Sequence, residues 1–93
     1  MNKVNYWKGE RRKARTAIRN YIVDNIDELE QNYDLNIPEN VKNLSSEEFS
    51  KWIAQVEPKI LAKKQPLELY TLIVNYHCAC TNVKTEENGL FSL

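Results

Sequence analysis

The sequence predicts an all-α fold, a small antiparallel bundle of three main helices that forms a single domain over residues 1–93. Three observations support this class. Apolar residues recur with helical spacing in three segments, glycine occurs only twice, and no alternating apolar–polar stretch has the length of a strand. A chain of this size buries roughly 60–65% of the surface that its unfolded form exposes, so the core is modest.

The first helix is predicted over residues 4–33, with its start at residue 4 or 10. At about 100° per residue, its apolar side chains fall on one arc somewhat wider than a third of the circle, which is typical of an amphipathic helix. The members of this stripe are Trp7, Ala14, Ile18, Tyr21, Ile22, Ile26, Leu29 and Tyr33.

Residues 34–44 are predicted to form the inter-helix loop, because Pro38 and three asparagines interrupt the helical period. Three apolar side chains within this loop are expected to hold it against the core. They are Ile37, Val41 and Leu44.

The second helix is predicted over residues 46–63. Ser45 as the N-cap and Glu48 three residues later form the pattern of a capping box. Pro58 removes one backbone hydrogen bond, but the apolar stripe stays in phase across it, so the pattern predicts one helix kinked at Pro58. The stripe consists of Phe49, Trp52, Ile53, Val56 and Ile60.

The third helix is predicted over residues 66–84, and it is apolar on two faces. One face supplies the core through Leu69, Leu72, Ile73 and Tyr76. The second face predicts self-association into a homodimer through Leu67, Tyr70, Val74 and Cys78. The apolar tail, residues 85–93, is expected to fold back onto the core, with recognition by a partner as the alternative.

The chain is neutral overall, but its charge is strongly polarised. Residues 1–20 carry a net charge of +6, whereas residues 21–50 carry −7. All four arginines lie within nine residues, at Arg11, Arg12, Arg15 and Arg19. Together with Lys8, the last three of them form a strip beside the apolar stripe of the first helix, and Arg11 falls on the apolar face itself.

None of these arginines has an acidic residue three or four positions away, so the helix does not neutralise them internally. The planar guanidinium suits carboxylates and phosphates, and its use here instead of lysine predicts recognition of an anion. Four sources could supply that anion. They are the chain's own acidic segment 24–48, an acidic protein surface, the backbone of DNA or RNA, and an anionic membrane surface, which the acidic segment disfavours.

Catalysis and metal binding are not expected from the remaining reactive residues. His77 and Cys80 could share a helix face, but no glycine-rich turn near them supplies donors for an oxyanion. His77, Cys78 and Cys80 crowd into four consecutive residues and cannot converge on one ion. No glycine pattern for a nucleotide phosphate is present, so no cofactor is expected.

We therefore expect a cytoplasmic, non-enzymatic regulator or inhibitor that binds an acidic protein partner through Lys8, Arg11, Arg12, Arg15 and Arg19. The cytoplasmic expectation follows from two closely spaced cysteines and from an N-terminus without an apolar signal segment. The small helical form and the one-ended charge would suit an accessory protein of the kind that phages and mobile elements use against host machinery. The alternative is a nucleic-acid-binding protein that uses the same arginines.

Overall fold

The computed structural model describes residues 3–87, which are helical almost throughout. Within these residues there is no strand, so the predicted all-α class is confirmed. The elements are α1 (Lys3–Asp24), α2 (Ile26–Tyr33), a short 3₁₀ helix (Val41–Asn43), α3 (Ser46–Lys63) and α4 (Leu67–Glu87). None of the described helices is both long enough and apolar enough to cross a membrane.

Asn25 divides the segment for which a single helix over 4–33 was predicted, and that prediction was wrong at this residue. The Asn25 side chain donates a hydrogen bond from Nδ2 to the Tyr21 carbonyl at 2.8 Å, and its backbone N–H bonds to Ile22, three residues back. The side chain thus takes the carbonyl that the helical backbone would use, a competition typical of asparagine. Two helices, α1 and α2, result in place of one.

Helix α3 begins at the predicted cap. The Ser45 hydroxyl accepts a hydrogen bond from the Glu48 N–H at 3.1 Å and donates one to the Glu48 carboxylate at 3.0 Å. The capping box is therefore confirmed, although the carboxylate is bound by the hydroxyl of Ser45 and not by its backbone N–H. The helix continues without interruption past Pro58, which is exposed.

Helix α4 extends to Glu87, three residues beyond its predicted end at 84. The first residues of the predicted tail 85–93 are thus helical, and residues 88–93 lie outside the described part of the chain. Helices α1 and α4 run antiparallel, because Lys8 lies beside Glu87 at one end of the pair and Tyr21 lies near Glu68 at the other.

The core lies between α1, α3 and α4 and is closed by the 34–44 loop. Ile18, Phe49, Ile53, Leu69 and Ile73 are fully buried at its centre. The predicted core residues are buried or half-buried, but three buried residues were not expected in the core. These are Leu35, Ala79 and Val83.

The loop is held as predicted, through apolar side chains and one indole hydrogen bond. Ile37 and Val41 are buried, and Leu44 packs against the core cluster. The Trp52 indole N–H donates to the Asn36 carbonyl at 2.9 Å and ties the loop to α3. This places the carbonyls of residues 41–44 directly beside α1.

Candidate functional site

Arg19 lies inside the fold and is bonded to the backbone that precedes α3. Its Nη1 atom donates to the carbonyls of Leu44 at 2.8 Å, Lys42 at 3.1 Å and Val41 at 3.4 Å. The guanidinium also lies over the Phe49 ring, 4.5 Å from its centroid, in a cation–π contact. Arg19 therefore joins α1 to the 3₁₀ helix and to the start of α3.

The acidic segment 24–48 contacts the strip formed by Lys8, Arg12, Arg15 and Arg19. The contact differs from the predicted alternative, in which carboxylates of this segment pair with the strip. Within residues 3–87, no carboxylate of this segment forms an ion pair with the strip. Backbone carbonyls, which carry a partial negative charge, accept from Arg19 in place of carboxylates. The formal charges of the remaining arginines are thus not cancelled by this segment.

Arg15 takes part in a hydrogen-bond network that links three helices. Its Nη1 atom donates to the Ser50 hydroxyl at 3.4 Å, and the Tyr76 hydroxyl donates to the same oxygen at 3.1 Å. Burial raises the pKa of Tyr76 above its ordinary value of 10.0, and the hydrogen bond to Ser50 opposes that shift. Arg15 is half-buried and contacts no acidic group in the part of the chain that the structure describes.

The other three predicted residues lie nearer the start of α1. Arg12 is exposed, and between Lys3 and Glu87 the structure shows no acidic partner for it. Lys8 contacts Glu87 at 3.9 Å, and both side chains are about half exposed, so this pair adds little stability. Arg11 is half-buried and has no ion pair among the described residues. We call Lys8, Arg11, Arg12 and Arg15, all of which are at least partly exposed, the exposed cation surface.

Arg11 also lines a cleft between α1 and α4 that encloses about 350 Å³, which we call the α1–α4 cleft. The α4 side of this cleft carries His77, Thr81, Lys84 and Glu87 in addition to Cys80 and Val83. These α4 residues follow one another at three- and four-residue intervals along a single helix face. The sequence analysis did not predict Thr81 and Lys84 as site residues. Their spacing from His77, which places them on the same helix face, could have indicated that they lie together.

The residues considered for catalysis and for metal binding, His77, Cys78 and Cys80, have different surroundings on α4. His77 Nδ1 lies 2.9 Å from the Glu57 carboxylate on α3, while Cys78 is exposed and Cys80 is half-buried next to Tyr76. No group of three or more His, Cys, Asp or Glu side chains among the described residues is placed to hold a metal ion. His77 thus contacts a carboxylate and not a thiol.

The second face of α4 is partly exposed. Leu67 retains 69% of its accessible surface and Cys78 is exposed, whereas Tyr70 and Val74 are half-buried. Tyr70 packs against the core cluster, so only part of this face is available to another molecule. Self-association through it stays a prediction.

Comparison of the chain with known protein families, with curated proteins and with solved structures finds no match in any of the three.

Proposed function

We propose that this protein is a non-enzymatic, cytoplasmic regulator or inhibitor that binds an acidic protein partner through the exposed cation surface. The proposed architecture is an antiparallel bundle, with α3 kinked at Pro58. Arg19 was predicted to contact the partner as well, but its hydrogen bonds support a different assignment, in which it positions the loop that flanks the surface.

The observation that carries the proposal is the lack of internal neutralisation. The four cations of the exposed cation surface lie within eight residues of α1, and the described acids give these four only the weak Lys8–Glu87 pair. Such an uncompensated arrangement favours a role in binding.

The distribution of acids favours a protein partner over a nucleic acid. Glu10, Glu57 and Glu87 lie among or beside the cations, and Glu10 pairs with Lys13 on the neighbouring side of α1. A phosphate backbone presents closely spaced negative charges that these carboxylates would repel. A protein surface can place its acids selectively and match such a mixed pattern.

The test is affinity capture from host lysate, with and without nuclease, using wild type and an Arg11→Ala/Arg12→Ala/Arg15→Ala variant. The matched control removes three exposed lysines elsewhere, in a Lys42→Ala/Lys51→Ala/Lys63→Ala variant with the same change in net charge. We expect wild type and the lysine control to capture the same protein after nuclease treatment, and the arginine variant to lose it.

Two results would contradict the proposal. If the folded arginine variant retains every partner, the exposed cation surface is not the contact. If capture disappears on nuclease treatment, the ligand is a nucleic acid, which is the alternative function.

A homodimer through the second face of α4 is a further part of the proposal. Its support is the exposure of Leu67 and Cys78 beside the half-buried Val74. Leu67, with 69% of its surface exposed, lies on the same face of α4 as Val74 and Cys78, and a continuous exposed apolar patch is typical of an interface.

A further inference from the structure

We propose that the α1–α4 cleft seats one carboxylate of the acidic partner, between the guanidinium of Arg11 and the ammonium of Lys84. This inference rests on the function proposed above and assigns it a specific anchoring position. The cleft is large enough for a single acidic side chain, since it encloses about 350 Å³.

Arg11 is the principal group because it is half-buried without an ion pair among residues 3–87. It lines the cleft together with Cys80 and Val83, so part of the cleft wall is apolar. In such surroundings a charge interaction is stronger than in bulk water, and a partly desolvated charge gains most from an added counter-ion. The fork of N–H donors can bind both oxygens of one carboxylate.

The α4 side supplies further donors. Lys84 is exposed and has no ion pair within the described chain, and Thr81 presents a hydroxyl on the same helix face. A carboxylate on Arg11 would therefore meet a second cation and a neutral donor. The antiparallel pairing of α1 and α4 brings these groups together although some seventy residues separate them along the chain.

Two acids near the cleft lower its net positive charge, which favours a singly charged carboxylate over a phosphate. Glu87 lines the cleft and contacts Lys8, and Glu57 contacts His77 at 2.9 Å. A phosphate monoester carries about −1.5 to −2 charges at neutral pH, so these acids repel it more strongly than a singly charged carboxylate. One carboxylate also matches the planar geometry of a single guanidinium.

The direct experiment is an NMR titration of the ¹⁵N-labelled full-length chain at constant ionic strength. The probes are acetyl-Gly-Glu-Gly-amide, its Gly-Gln-Gly counterpart and inorganic phosphate. We expect the glutamate peptide to cause saturable shifts of the backbone amides of Arg11, Thr81 and Lys84, and the glutamine peptide to cause none. Phosphate is expected to bind more weakly than the glutamate peptide.

Substitutions then identify which side chains of the cleft contact the peptide carboxylate. Arg11→Met keeps the apolar stem and should weaken the peptide about tenfold, because charge-assisted hydrogen bonds are lost. Arg11→Lys should be intermediate, because the charge stays but the fork is lost. Lys84→Gln, at an exposed position that cannot unfold the core, should weaken the peptide about two- to fivefold.

The proposal is overturned if the glutamine peptide gives the same shifts, if the shifts lie elsewhere, if phosphate binds more tightly, or if Arg11→Met and Lys84→Gln bind as wild type does. These failures are separable from failure of the proposed function. Lysate capture by the Arg11→Ala/Arg12→Ala/Arg15→Ala variant reports on the function, whereas the peptide titration reports on the cleft alone.

Discussion

Replacing Arg19 with alanine tests whether Arg19 stabilises the fold while the other arginines are available to bind a partner. The substitution removes bonds from Nη1 to the carbonyls of Leu44 at 2.8 Å and Lys42 at 3.1 Å, and a cation–π contact with Phe49 at 4.5 Å. Charge-assisted hydrogen bonds contribute about 1.5–3 kcal/mol each in favourable cases, and an exposed cation–π contact about 0.5–1 kcal/mol. The bond to the Lys42 carbonyl is exposed, so water can hydrogen-bond to this carbonyl in the variant. The total loss of stability is therefore smaller than the sum of these contributions.

We expect Arg19→Ala to lower the free energy of unfolding by about 2–4 kcal/mol, because the carbonyls before α3 lose their donor. For a domain of this size each kcal/mol lowers Tm by about 4–8 °C, so the expected decrease is roughly 8–32 °C. Urea and thermal unfolding followed by circular dichroism measure both quantities.

Arg12→Ala is the matched control, since it makes the same change at an exposed position of the same helix. It should change the free energy of unfolding by no more than about 0.5 kcal/mol. If Arg19→Ala behaves like this control, the assignment of Arg19 to the fold is wrong, and all of the arginines belong to the binding surface.

Three further substitutions test other parts of the structure. Ser45→Ala removes the N-cap of α3 and should destabilise the protein by about 1 kcal/mol in urea unfolding; an unchanged midpoint would show that the cap adds nothing. Because burial raises the pKa of Tyr76, the unfolded state loses that proton first, so the free energy of unfolding should fall as pH rises above 10.0. The Tyr76→Phe variant should lack this component, and an equal fall in both proteins would refute it. Val74→Asp should convert a dimer into monomers by light scattering, and an unchanged mass would exclude that face as the interface.

Local signals in the sequence predicted the elements well. The capping box at Ser45 and Glu48 depends on residues three apart, so it could be read directly and is present. Helical periodicity likewise predicted the all-α class and the burial of Ile18, Phe49 and Ile73. These features depend on neighbours along the chain and not on how the helices pack.

The break at Asn25 was missed because periodicity continues across it. Leu29, beyond the break, remains in the apolar stripe and is buried as a continuous helix would require. The interruption depends on one side-chain hydrogen bond to the Tyr21 carbonyl, which has no periodic signature.

The different roles of Arg19 and of the other arginines could not be predicted from the sequence either, because these roles depend on long-range contacts. The carbonyls bound by Arg19 lie 22 to 25 residues further along the chain. Lys84 lines the same cleft as Arg11 only because α1 and α4 are antiparallel. The sequence predicted recognition of an anion, but the helix packing determines which arginines already have hydrogen-bond acceptors within the fold.

The central claim, that the exposed cation surface binds an acidic protein, is tested most directly by the salt dependence of affinity for the captured partner. We predict a shallow decrease of affinity with salt, carried mainly by the association rate, together with loss of binding in the Arg11→Ala/Arg12→Ala/Arg15→Ala variant. A steep log-linear decrease, with a slope of about −0.9 per neutralised phosphate of duplex DNA, would instead identify a nucleic acid and contradict the account.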